Sequence, residues 1–535
     1  MRAIPNFPDI NFKSFCDFCK NNIPLLIATA ITLFFCYGIK LFQYNIGMDT
    51  ELFMANKADM IKWSLQIGRF GRAFFEWLLH TKGFNPFTAF LSTFCLIWLF
   101  AISWCYIIAI FSKNINRNNA LIPFALVFIS SPVWAEQFYF VTQSAEVALM
   151  VLICPYAIYL LFKGFLDNET GKIIVAFLLI ILMASVYQAM VPFFCCGVFI
   201  CFLLLLKTSD YEPLIYRNLC LKFFATLMGA MIVYFAIDIF LIPSIFDIEK
   251  TQQINYMIFW GQIPVKESVF RILRFAYIII AGNALPLENI LNSILAQHAR
   301  SGLEALKGIA NESRVFGNIL LLPIIVFFII KIIYIACRKI PKEQRFLYVL
   351  AGICIPFSVM FLAILVGNSP AMRAMYVLPF ALAFMFFFLI ETGSKKVAFV
   401  VVILALLTAV HQTQITSQLF YSDQLRYNED VRRAYDIRNM IDNENLPVAI
   451  IRENNTVEIF RANFLQGETI GRSFFGGNSF ESIDNSLAFM HSLGIHFDAP
   501  NYEQWEQAVN EARSMPPYPN SGYIKKLPNV IVVKF

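Results

Sequence analysis

Long unbroken apolar blocks constrain this chain more than any other feature. Ile23 to Phe42 and Phe87 to Phe111 are the first two, and neither shows the 3.6- or 2-residue alternation of a half-buried element in a soluble core. A hydrocarbon layer roughly 30 Å thick takes about 20 apolar residues per helix, and backbone groups inside it must pair within their own segment. The blocks therefore read as transmembrane helices. The first is full length and has no small-residue cleavage site before Phe42, which makes it an anchor and not a removable signal peptide.

Further candidate spans run from Ala120 into Trp134, then Val147 to Phe165, Ile173 to Val186, Ala189 to Leu206, Leu221 to Ile242, Ile319 to Ala336, Phe346 to Val366, Ala374 to Ile390 and Val397 to Val410. Phe270 to Ala281 is too short to span and reads as a surface or re-entrant segment. The sum is about eleven spans. Short basic loops at Lys113 and Arg117, Lys163 and Lys172, Lys207 to Lys222, Lys331 to Arg345, and Lys395 with Lys396 alternate with loops poor in Lys and Arg. That alternation places the amino terminus inside and the carboxyl terminus outside. Ile173 to Leu206 is barely long enough for two spans, and counting it as one would reverse the parity.

The expected architecture is a polytopic α-helical membrane protein carrying a small C-terminal extracytoplasmic α/β domain. Residues 1–412 form the membrane module, with outward loops at 44–86 and 243–317, and residues 413–535 form the tail. In the tail we expect a helix from Asp430 to Ile441, a strand Pro447 to Ile451, helices near Ile483 to Leu493 and Tyr502 to Ser514, and a strand Val530 to Val533. The net charge of +6 is distributed as orientation signals and implies no nucleic-acid partner. None of the 12 cysteines follows Gln412, so the tail is expected to fold without disulfides, as suits a bacterial cell-envelope protein. The five histidines make no ligand-spaced cluster, and neither a P-loop nor a dinucleotide glycine motif is present.

Chemistry is expected on the outward side. Asp49-Thr50-Glu51 follows the first span directly. Either carboxylate can act as a general base, and one base suffices for sugar transfer when the leaving group is a phosphate. Asp49 or Thr50 can equally cap the next helix. The two carboxylates also leave room for a divalent cation without specifying one. Trp63, Ile67, Phe70, Phe74, Trp77 and Leu78 then recur at helical spacing, with Arg69 and Arg72 on another face, as in an interfacial helix. Such an arginine pair suits a lipid phosphate or, more simply, anionic headgroups. Glu136, Gln137, Gln143 and Glu146 interrupt an apolar region where an ionised group is costly, so they are expected to line a cavity or bond between helices. Tyr187, Gln188 and Arg373 cap outward helix ends, and Arg373 either meets a phosphate or snorkels.

These motifs in order resemble the type II Gtr glucosyltransferases. They comprise Gly38, Tyr44 and Asp49-Thr50-Glu51; Gly68-Arg69-Phe70-Gly71-Arg72; Ser131-Pro132 through Ala135-Glu136-Gln137-Phe138; Gln143-Ser144-Ala145-Glu146; and Tyr187-Gln188-Ala189. The resemblance is strongest over roughly the first 200 residues. It implies a membrane glycosyltransferase of the GT-C type in the bacterial inner membrane. The implied donor is undecaprenyl-phosphate glucose, used on the periplasmic face to modify a surface glycan such as lipopolysaccharide O-antigen. The resemblance also implies a base at Asp49, with Glu51 as its alternative, and functional association with a flippase and a lipid-linked sugar synthase. A glycan polymerase and a lipid-linked sugar transporter or flippase are the alternatives.

Overall fold

The computed structural model describes residues 9–47, 49–55, 57–78, 85–114, 119–208, 212–250, 258–281, 314–441, 446–452, 464–475 and 480–535. His80, His298 and most of the expected loop 243–317 lie outside the described residues. Among those described, seven helices are long and apolar enough to cross a membrane, or up to nine if each of two bent pairs is one span. Two of the expected segments form the shorter apolar helices Thr170–Val186 and Val377–Thr392. The helices Thr170–Val186 and Met190–Thr208 are separate, so Ile173 to Leu206 is two helices and not one.

Sequence explains both bent pairs. Phe12–Asn21, capped by Asn11, meets Ile23–Tyr37 at 82°. Leu121–Ser130 meets Pro132–Tyr139 at 47°, because Pro132 has no N–H to continue the first helix and sits well at the start of a new one. A break at membrane depth leaves carbonyls without partners, and each must find a donor. The Trp134 indole donates to the Phe128 carbonyl at 2.8 Å, the Tyr37 hydroxyl to Ile129 at 2.7 Å, and the Thr416 hydroxyl to Ser130 at 2.9 Å. The broken helix is thus tied to the first span and to the last.

That last helix runs unbroken from Lys395 to Met440. It passes Gln412, where the sequence reading ended the membrane module, and it absorbs the separate helix expected from Asp430. At 1.5 Å per residue its length is roughly 70 Å, about twice the hydrocarbon thickness. Its far half is the spine of the tail. Val448–Ile451 pairs in parallel with Ile531–Lys534, which pairs antiparallel with Ile524–Lys526, the order placing the carboxyl-terminal strand at the centre. Ala434 and Ile437 of the long helix pack with Ile450, Phe474, Phe489 and Val533. Tail helix Phe480–Ser492 also packs against Thr50–Ala55 of the membrane module.

The interfacial helix expected from Trp63 to Leu78 is broken. Two helices, Lys57–Gln66 and Phe70–Leu78, flank a turn in which Gly68 has φ 80°, a left-handed conformation open to glycine at little cost. A side chain at 68 would also meet the Tyr234 hydroxyl at 2.7 Å. Phe74, Trp77 and Leu78 are exposed while Arg72 is buried, so this helix turns its apolar residues outward and its charge into the protein.

Candidate active site

Asp49 stands at the start of Thr50–Ala55, and its carbonyl accepts the first helical bond, from Phe53 N at 3.2 Å. An ordinary N-cap has extended backbone. Asp49 instead has φ 67°, a left-handed conformation that Asp tolerates better than most residues but that still stores strain. Burial pushes its carboxyl pKa up, while the guanidinium groups of Arg373, Arg72 and Arg69 pull against that rise. The side chain therefore lies within reach of three cations that come from two separate parts of the chain.

Glu51, two residues on, is fully buried, and neither carboxylate oxygen has a hydrogen-bond partner. Burial pushes its pKa up to about 8. The backbone amides of Glu51 and Asp49 and the charge of Arg426 oppose this, whereas the Asp49 charge adds to it. Burial thus raises both carboxyls, but only Asp49 has three guanidinium groups opposing the rise, while Glu51 holds its proton at neutral pH. Among the described residues, no group of three or more His, Cys, Asp or Glu could hold a metal ion.

The arginines are held in different ways. Arg69 donates to Gln143 Oε1 at 3.3 Å, lies 4.6 Å from the Tyr187 ring centroid, and keeps a buried Nε without a partner. Arg72 is fixed by Ser64 Oγ at 3.3 Å and Thr142 Oγ1 at 3.1 Å. Arg373 lies 4.7 Å from the Phe140 ring centroid and 3.4 Å from Glu468 of the tail. Aromatic faces orient Arg69 and Arg373 while leaving N–H groups for another ligand. Arg72 also lies within electrostatic reach of Glu146.

The other expected residues sit around this centre with most of their polar atoms committed. Gln137 Oε1 accepts from the Tyr376 hydroxyl at 2.6 Å, and its Nε2 is buried without a partner. Gln188 donates to the Ile67 carbonyl at 2.9 Å and the Tyr234 hydroxyl at 3.1 Å, which holds the Gly68 turn that delivers Arg69. Glu136 faces the tail: its carboxylate accepts from Glu468 N at 2.6 Å, Thr469 N at 3.0 Å and Thr469 Oγ1 at 2.5 Å. Both carboxylate oxygens of Glu136 are thus engaged by the protein itself.

A buried charged network joining membrane module to tail escaped the sequence reading. Asp423 contacts Lys40 at 3.6 Å and Arg426 at 2.5 Å, and it accepts a bond from Asn45. Arg426 also reaches Tyr139 at 3.1 Å and Asp430 at 3.2 Å. Two signals were present. Lys40 lies inside a block read as a span, where a charge is costly, and Asp423, Arg426, Asp430 and Arg433 recur at the three- and four-residue spacing of one helix face.

The family model described as Glucosyl transferase GtrII matches residues 38–390, a stretch that includes Asp49, all three arginines and the broken helix. No curated protein and no solved structure matches the chain.

Proposed function

Because the chain belongs to the Glucosyl transferase GtrII family, we propose that it transfers glucose from a lipid phosphate, undecaprenyl-phosphate glucose, to a hydroxyl of a surface glycan such as O-antigen, at the periplasmic face of the bacterial inner membrane. The observation that carries this reading is the position of Asp49, a strained carboxylate within reach of Arg69, Arg72 and Arg373. A base and a phosphate receptor are what the reaction needs in one place.

The reaction follows from the charges. The acceptor oxygen attacks the anomeric carbon from the face opposite the phosphate, so the configuration inverts. Asp49 takes the hydroxyl proton, a contribution of about 10²- to 10⁴-fold for a positioned base. The bond from the anomeric carbon to the phosphate oxygen breaks and its electron pair stays on that oxygen. A phosphodiester with one negative charge becomes a phosphomonoester with two, so fixed arginines bind the transition state more tightly than the ground state. Arg69 and Arg373 fill this role best, since the hydrogen bonds of Arg72 already fix it to Ser64 and Thr142. Glu51, neutral below about pH 8, adds no second negative charge beside the base.

The charge alternation supports an outward position for this centre, on the same side as the tail. The reading expects a flippase and a donor synthase to be supplied separately. Membranes containing the protein, given lipid-phosphate glucose labelled in the sugar, should move label into glycan only when acceptor is present. Label crossing the bilayer without bond formation would favour transport, and growth by whole repeat units would favour a polymerase.

A further inference from the structure

The segment from Leu465 to Phe474 has little regular structure, yet it is held by fixed acceptors from end to end. Leu465 N donates to Ser422 Oγ at 3.1 Å, Glu468 and Thr469 N to Glu136, Gly471 N to Asp423 at 3.1 Å, and Phe474 N to Asp430 at 2.9 Å. Gly467 lies so close to Glu136 that an added Cβ would stand 1.8 Å from Oε1. Three buried carboxylates thus fix the backbone of one strap, Asp423 and Asp430 from the long helix and Glu136 from the membrane module. These bonds hold the backbone, not the Glu468 side chain, so the strap can stay in place while that side chain moves.

What the strap presents is Glu468. Its carboxylate accepts from the Met372 N–H and lies 3.4 Å from Arg373 Nη1. Both partners of that ion pair are about a quarter exposed, at 27% and 22%. Such a pair contributes about 0 to 1 kcal/mol, and Arg373 keeps its place through Phe140 without it. A phosphate, by contrast, can take the guanidinium fork in two bonds.

We propose that Glu468 is a tethered counter-anion that competes with the donor phosphate for Arg373 and so sets the affinity for the lipid-linked sugar. The inference rests on the reading of Arg373 as a phosphate receptor. When donor binds, the Glu468 side chain turns away and its backbone remains latched to Glu136. The competition also weakens retention of the product lipid phosphate, which carries the higher charge and would otherwise bind more tightly than the donor.

The test compares Glu468→Gln with the parent protein in membranes. KM for lipid-phosphate glucose should fall by about two- to fivefold, the worth of a partly exposed ion pair. Inhibition by sugar-free lipid phosphate should tighten at least as much, with kcat moving less than KM. Glu468→Asp withdraws the carboxylate by one methylene and should shift KM in the same direction, which serves if the glutamine variant accumulates poorly. Both shifts should vanish in an Arg373→Gln background. A KM that is unchanged or raised in both variants, with Asp49→Asn inactive, would overturn this inference and leave the transferase reading standing. Activity retained in Asp49→Asn would instead remove Asp49 from the base role, and a parent protein that moves no label into glycan would overturn the transferase reading.

Discussion

The Arg69 guanidinium lies 4.6 Å from the centroid of the Tyr187 ring, with its Nε buried and without a hydrogen-bond partner. The ring fixes a planar cation, and the Gly68 turn, held by Gln188 and Tyr234, delivers it. Lysine offers one point charge and no plane to set against that ring. Arg69→Lys should therefore fail to restore what Arg69→Ala loses. Both should raise the KM for donor by about tenfold or more, the worth of one charge-assisted hydrogen bond. Steady-state kinetics across donor concentration measures this, and a lysine variant with the parent KM would remove the planar contact from the account.

Glu51 predicts a pH dependence of stability. Burial moves its carboxyl pKa from the ordinary 4.5 up to about 8 in the folded protein. Between those values the folded state holds a proton that the unfolded state has released, so stability falls as pH rises through that window. Glu51→Gln keeps the shape and has no proton to lose. Thermal melting in detergent should show the variant gaining on the parent from pH 6 to 8.5, and parallel curves would contradict the assignment.

Glu136 tests the latch between module and tail. Replacing it with alanine leaves Glu468 N, Thr469 N and Thr469 Oγ1 without their acceptor. Each stranded donor costs about 1 to 3 kcal/mol. Glu136→Ala should open the tail to protease well before the membrane helices are cut, and Glu136→Gln should be intermediate. A tail as resistant as in the parent would show that other contacts carry the joint.

What the sequence disclosed about this molecule follows from range. Hydropathy is a local property, so the apolar helices could be read directly, whereas the span read from Ala120 into Trp134 ran through Pro132 without the break found there. The Asp49 loop was visible because it follows a span at once. The apolar face of Phe74 and Trp77 was read as interfacial and both are exposed, whereas the burial of Arg72 was not legible, since helical spacing sets a second face without saying that the protein covers it. The amphipathic pattern runs through Gly68 without a gap, and only its left-handed backbone and the packing of Tyr234 against it show that the helix is interrupted there. Glu468 carried no signal: its significance comes from a backbone bond to Glu136, 332 residues away in sequence.

The central claim is that Asp49 takes the acceptor proton under the field of three arginines. Asp49→Asn is close in size, keeps tolerance for the left-handed backbone and removes the basic oxygen. The direct measurement is single-turnover transfer from saturating lipid-phosphate glucose to acceptor glycan, with donor binding measured on the same membranes. The account predicts a loss of at least about 10²-fold in rate, with donor bound as tightly as by the parent or more so. Transfer at the parental rate, at equal protein in the membrane, would contradict it.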